Sequence, residues 1–459
     1  MKKHTLIFSS TLLFFSLFYK EGLGINLAFF ALFLIALINY NAKNKTFTFK
    51  ILSLTSVLAT ASYAWFGDAA SFFALFFSIL FLQFENQEIK LKTILSIPII
   101  FINFFSSLVR PFLFKEWLPE TKIGSNTLKK AIAYVLIPLV FMVVFFTVYT
   151  YASNVFSGFL RYEIDFDFTA VFFTTLLGFY ISFSFWNYWV PNYNYSLNLK
   201  LQNLFTSESQ SEITPSFSFL DLDFERKSGE ISLIILNVML LFFIAAYNYE
   251  QFFQIQETSS LSSATHDGVN SVMLSIFMAI GVLLFYFKKS FNFDDKANFL
   301  KVLAKIWIFL NAVLVFSSAI KNYEYVCHFG LTYKRLGVFA FLAIILIGLV
   351  YLYLKIKNHK TNAYLFNVML WYLYGLLMLC ACVNWGNLIT IYNINSKRGI
   401  EPVFLSELNF NDKVRRSYFE ENKLSGEYME ELVERRIEIN QNKSFLSKNL
   451  YYQNLENQK

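Results

Sequence analysis

Apolar runs recur along the chain from Thr5 to Trp385, separated by short polar loops, and almost none of the runs carries a charge. The candidate membrane segments are 5–19, 24–40, 51–66, 69–84, 93–109, 131–152, 169–190, 231–249, 269–287, 302–320, 336–354 and 361–384. A spanning helix needs about 20 apolar residues, with about 17 as the lower limit. The later segments meet that length, whereas the first, third and fourth are short. Segment 93–109 holds Pro98 and Asn103 and runs straight into Arg110-Pro111. The pattern predicts an all-α protein, a polytopic transmembrane helical bundle of about 11–12 membrane segments with a small C-terminal helical tail. Its parts are N-terminal transmembrane helices over 1–190, a polar connecting loop over 191–230, C-terminal transmembrane helices over 231–385 and a soluble helical tail over 386–459.

Loop charges select a threading. If all twelve segments span from a cytoplasmic N-terminus, Arg110, Lys115, Lys122, Lys129 and Lys130 fall outside, together with Lys288, Lys289, Lys355, Lys357 and Lys360. That opposes the positive-inside rule. If segment 93–109 instead lies in the interface or dips in and returns, all of these become cytoplasmic. Only Lys20, Arg161, Lys321, Lys334 and Arg335 then remain outside in short loops. This threading gives about eleven spans, a cytoplasmic N-terminus and an extracytoplasmic tail. Met1-Lys2-Lys3-His4 before an apolar run resembles a secretory signal, but Tyr19-Lys20-Glu21 follows in place of a small-residue cleavage site. We read it as a retained first helix.

Composition agrees with a lipid environment. The 459 residues are 56% hydrophobic and only 15% charged, where a soluble chain is nearer a quarter charged. The formal charge of +7 suits short cytoplasmic loops on an anionic membrane. No basic block interleaved with stacking aromatics suggests nucleic acid. Cys380 and Cys382 fall inside an apolar run and Cys327 in a predicted loop. No CxxC pair points to zinc or redox chemistry.

Beyond Trp385 the chain turns polar. Asn411-Asp412 is placed to cap a helix through Glu421, and Ser425 one from Gly426 to about Ile439. Met429, Leu432, Val433 and Ile437 recur at helical steps, a stripe that can dock on the membrane domain or on a partner protein.

Chemical handles are few. Lys305 is the one deep charge, with Lys301 four residues before it, and snorkelling to headgroups explains both. No Asp or Glu falls within a predicted span, which disfavours proton- or sodium-coupled transport. Asn237, Asn311 and Asn367 can hydrogen-bond between helices, and Pro138 predicts a kink. No GxxxxGK[ST], GxSxG or HExxH motif is found. The histidines His4, His266, His328 and His359 are scattered over predicted loops. Asp267 beside His266 reads as an N-cap. No catalytic, cofactor-binding or metal residue is assigned.

In the predicted threading, Thr265 to Gly268, the loop from Lys321 to Arg335, Asn384-Trp385, Arg161, Glu163, Asp165 and Asp167 share the outer face. Several stretches there resemble a known family: His266-Asp267-Gly268-Val269-Asn270, Trp307 with Asn311, Phe329 to Arg335 with Gly330, Thr332 and Lys334, Asn384-Trp385, Ile391-Tyr392-Asn393-Ile394, and Leu405-Ser406-Glu407-Leu408. Together they resemble the bacterial membrane proteins of domain-of-unknown-function family 4173, with the related 4153 group close by, over roughly 170–440. The Phe-, Lys- and Asn-rich usage looks like the Bacteroidetes branch. The resemblance implies a multi-pass architecture in a bacterial inner membrane, and no reaction, cofactor or catalytic residue. Plain physics also accounts for these residues: Gly330 turns the chain, Thr332 caps, Lys334 and Arg335 anchor a helix end, and Trp385 joins an interfacial belt. Three readings stand: a non-catalytic regulatory, sensory or assembly component acting through its outer face and tail, a transporter of a small or lipid-like molecule, or a membrane enzyme on lipid-linked substrates.

Overall fold

Long apolar stretches satisfy their backbone groups internally, and in lipid only helices or closed barrels do so. The computed structural model describes residues 1–87, 91–118, isolated positions from 130 to 149, 167–207, 214–215, 219–253, 261–424 and 427–456. Among them are 17 α-helices and no strand beyond one isolated bridge between Leu204 and Lys360. The expected all-α bundle is what the chain forms. Six stretches are long and apolar enough to cross a membrane: Ala69–Asn86, Phe168–Trp186, Leu222–Glu250, Asp295–Phe329, Tyr333–Lys357 and Asn362–Cys382. The protein is thus a multi-pass membrane protein. Lys3–Phe18, Ile25–Asn41, Thr93–Ser106 and Val272–Tyr286 are apolar but shorter. Most of the predicted span 131–152, and Arg161, Glu163 and Asp165, lie outside the described residues.

The helices fall into two compact units. The first holds Met1–Lys90, Leu95–Asn194 and Arg436–Lys459. Its helices are α1 (Lys3–Phe18), α2 (Ile25–Asn41), α3 (Phe47–Phe66), α4 (Ala69–Asn86), α5 (Ser96–Ser106) and α6 (Phe168–Trp186). Thr46, Asp68 and Asp167 cap α3, α4 and α6 by accepting the Phe49, Ser71 and Ala170 amides, each saving an orphan donor of a first turn. Helix α1 packs along α6, α2 along α3, and α3 along α4, and the Trp186 indole donates to Ser10 Oγ at 2.8 Å. With 11 residues, α5 is about 16 Å long, half of the roughly 30 Å hydrocarbon core. Asn103 ties it down by donating to the Trp189 carbonyl and accepting the Trp189 amide.

The second unit holds Leu91–Ile94 and Tyr195–Arg435. Its long helices are α8 (Leu222–Phe253), α9 (Leu261–Tyr286), α10 (Asn298–Phe329), α11 (Tyr333–Lys357) and α12 (Asn362–Cys382). The short α7 (Asn192–Lys200) precedes them, within the expected connecting loop. Leu233, Ile276, Leu300, Leu314, Leu352 and their neighbours form a filled apolar core between α8, α9, α10 and α11. The opposite faces expose Ile235, Met239 and Phe242 of α8 and Phe299, Ile306 and Phe309 of α10. Contiguous apolar surface on this scale is not left to water; these are lipid-facing sides. The expected segment 231–249 is only the middle of α8, whose 32 residues reach about 48 Å. Its polar start is paired outside the apolar stretch, where Arg226 bridges Asp223 at 2.6 Å and Asp294 at 3.1 Å.

Five further elements complete the chain: α13 (Trp385–Ser396), α14 (Pro402–Glu407), α15 (Asp412–Asn422), α16 (Glu427–Gln441) and α17 (Leu450–Glu456). Val433 and Ile437 of the predicted stripe are buried, whereas Leu432 stays exposed. Ser425 and the Met429 side chain lie outside the described residues. Residues 444–449 fasten to the first unit. Ser447 Oγ accepts the Gly22 amide at 2.7 Å and donates to Glu21 Oε2 at 2.5 Å. Ser444 also donates to Glu21. The Ile25 amide donates to the Lys448 carbonyl at 2.9 Å, and Asn449 Nδ2 to the Phe66 carbonyl. All these contacts sit at the α1–α2 and α3–α4 turns. The Met1 ammonium donates to Asn41 Oδ1, so it lies at the other end of the same helices.

Candidate functional site

Several of the residues that carry the family likeness, from Gly330 to Arg335 and from Asn384 to Asn393, gather where the tail covers the α10–α11 turn. Helix α10 stops at Gly330, whose φ of +82° is left-handed and cheap only for glycine. A Cβ there would lie 2.7 Å from the Arg398 carbonyl oxygen. Thr332 Oγ1 accepts the Arg335 amide at 3.3 Å and starts α11, as the capping reading expects. Between them, Leu331 is gripped by Asn393 of α13. Asn393 Oδ1 accepts the Leu331 amide at 2.7 Å. Its Nδ2 donates to the Leu331 carbonyl at 3.0 Å and the Gly399 carbonyl at 3.2 Å. The side chain is fully buried, so it acts as a strand-like partner for one residue of the turn.

Arg335 corrects its expected role as a lipid anchor. Its guanidinium folds back over the Tyr325 ring, 4.2 Å from the centroid, and donates to the Gly330 carbonyl. This planar fork stacks and bonds at once, which a headgroup-seeking lysine would not do. Lys334 and Tyr392 are exposed.

A second layer holds α13 in place. Asn384 caps α13 by accepting the Asn387 amide at 3.0 Å and donates Nδ2 to the Phe410 carbonyl at 2.9 Å. The Trp385 side chain is half-buried at this junction, not fully out in an interfacial belt. Gly386 is there because the Asn409 carbonyl passes against it: a Cβ would fall 1.8 Å from that oxygen. Asn411 makes no cap, contrary to expectation. It is buried and donates to Thr390 Oγ1 at 2.8 Å and the Leu405 carbonyl at 2.7 Å. Ile389, Leu405, Leu408 and Phe419 make a small apolar core beneath, and Asp412 pairs with Arg415 at 3.1 Å in its floor. Outward, α13 presents Leu388, Ile391 and Tyr392 at helical spacing, beside exposed Lys397 and Arg398.

Other expected residues lie elsewhere. His266, Asp267 and Asn270 are inside α9, which begins at Leu261; Asp267 is therefore not its N-cap, and these side chains lie outside the described residues. Cys327 and His328 end α10, not a loop. Asn237 links α8 to α10 through the Leu303 carbonyl. Asn311 donates within α10 to the Trp307 carbonyl, and Asn367 reaches the connector at Leu201 and Asn203. Charge counting places Lys355 in a loop, yet it is fully buried and donates to the Phe287 carbonyl.

The chain belongs to the family described as Domain of unknown function (DUF4153), whose profile matches residues 8–414. The match lies with the 4153 group, not the 4173 group named first above. It takes in the N-terminal helices as well as the region from 170 onward. No curated protein and no solved structure matches.

Proposed function

We propose that this protein is a non-catalytic membrane component, regulatory, sensory or assembly in kind, that holds a partner protein on the cap formed by α13 to α15. The observation that carries the reading is where the polar groups go. Asn393, Asn384 and Arg335 have their hydrogen bonds engaged by backbone and rings of the cap itself, and Asn411 spends its amide nitrogen on Thr390 and Leu405 within it. What the cap offers outward is the row Leu388, Ile391 and Tyr392 with a basic edge. That chemistry suits an amphipathic partner helix with acidic flanks.

The setting we propose is a bacterial inner membrane, of the Bacteroidetes branch by residue usage, with the N-terminus cytoplasmic and the cap and tail outside. The loop charges support that orientation. Residues 444–449 and Met1 at opposite ends of the first unit agree with it.

The test is a photo-crosslinking residue at Tyr392 of the full-length protein in its native membrane. A discrete protein adduct is expected, absent when the probe sits at lipid-facing Phe309. Lipid adducts alone at Tyr392 would reject the partner role. In a background with Cys327, Cys380 and Cys382 replaced by serine, impermeant thiol labelling of Lys413→Cys, but not Lys45→Cys, in intact cells is the expected topology result; the reverse would invert the orientation.

A further inference from the structure

At the end of the second unit where α10 begins and α11 finishes lies a cavity of about 400 Å³, within the roughly 300–1,000 Å³ range of small-molecule sites. Lys301, Lys305 and Lys357 line it, against one acid, Asp295. The balance is three positive charges against one negative, or +2, before His359 is counted. Lys301 is partly engaged, donating to the Asp294 carbonyl at 3.2 Å. Lys305 and Lys357 have neither a hydrogen bond nor an ion pair among the described residues, and both are exposed. Two free ammonium groups in a cavity that also holds the Asp295 carboxylate make a site for an anion that also carries donors.

Lipid is the source the surroundings favour. Lys305 sits two turns into α10, among exposed Val302, Ile306 and Phe309. An ammonium at that depth is costly unless it reaches headgroups or meets an anion. The exposed apolar row runs on along α10, away from the cavity, as acyl chains would. Basic pockets between helix ends at the cytoplasmic side suit anionic headgroups.

We propose that this cavity binds the phosphodiester of an anionic phospholipid whose headgroup carries free hydroxyls, as phosphatidylglycerol does. Lys305 and Lys357 hold the phosphate, and Asp295 accepts from the hydroxyls. The site is independent of the proposed partner surface.

The test uses delipidated full-length protein in detergent micelles, titrated with dioleoyl phosphatidylglycerol and followed by native mass spectrometry. Parallel arms use dioleoyl phosphatidylcholine and soluble glycerol phosphate. One phosphatidylglycerol should be retained, about tenfold more weakly in Lys305→Gln/Lys357→Gln and unchanged in Lys43→Gln/Lys45→Gln. The melting temperature of the lipid-free glutamine pair should match the parent, since neither lysine has a partner to lose. The Lys305→Arg/Lys357→Arg pair keeps both charges and should keep the lipid. Equal binding by the glutamine pair, equal binding of phosphatidylcholine, or loss in the arginine pair as large as in the glutamine pair would overturn the assignment. Soluble glycerol phosphate binding as tightly as the lipid would move the site from membrane lipid to a free phosphate ester.

Discussion

Replacing Asn393 with alanine removes a buried side chain that bonds α13 to the α10–α11 turn. Three hydrogen bonds go with it, to the Leu331 amide, the Leu331 carbonyl and the Gly399 carbonyl. At about 1 kcal/mol net each, the loss is about 3 kcal/mol. The site is fully buried, so water does not replace the lost partners without opening the cap. Local opening is what amide exchange reads, and about 1.4 kcal/mol corresponds to tenfold. Exchange of full-length protein in micelles, followed by mass spectrometry over 325–335 and 386–411, should accelerate about a hundredfold in Asn393→Ala. Asn393→Asp should be worse: it keeps one acceptor but sets a carboxylate against two carbonyl oxygens. Asn395→Ala, two residues on and exposed, is the control. Unchanged exchange over 329–335 in Asn393→Ala, or an equal rise in Asn395→Ala, would refute the structural role given to this amide.

Three more outcomes follow from contacts described above. Gly386→Ala drives a methyl into the Asn409 carbonyl and should expose 402–424 to limited proteolysis while the membrane helices stay intact. Ser447→Val removes the acceptor of the Gly22 amide and a donor to Glu21; trypsin should then release a fragment after Lys443 or Lys448 well before it does in the parent. Lys355→Met leaves the buried Phe287 carbonyl without its donor at a cost of about 1–3 kcal/mol, lowering the melting temperature, whereas exposed Lys43→Met should leave it unchanged.

Helix identity was legible because apolar runs of membrane length have few other uses. Thr332 was legible as a cap because its hydroxyl acts three residues away. Helix ends were less so. The expected start of the eighth helix at 231 misses Leu222–Glu230, where charge lowers hydropathy although the helix continues and its arginine pairs with Asp223 and Asp294. His266-Asp267 misled for a related reason: a polar pair marks a helix start only when no earlier turn exists, and α9 already has one. Lys355 has the same letter as its exposed neighbour Lys357, and only the carbonyl of Phe287, 68 residues earlier, distinguishes them. Asn393 was picked out by resemblance and Gly386 was not picked out at all, because their reasons arrive from Leu331 and Asn409, contacts with no local signature.

The bonds from Ser444, Ser447 and Lys448 to Glu21, Gly22 and Ile25 set an order on biogenesis. Ribosomes deliver the first hairpin more than 400 residues before the segment that completes its turn. Until translation reaches that point, early helices sit inserted with polar turn groups that water holds and that late-made serines and a carbonyl later take over. A nascent product stalled upstream of Ser444 would be fully threaded yet recognisably unfinished, which gives membrane surveillance proteases a physical means of telling interrupted copies from whole ones.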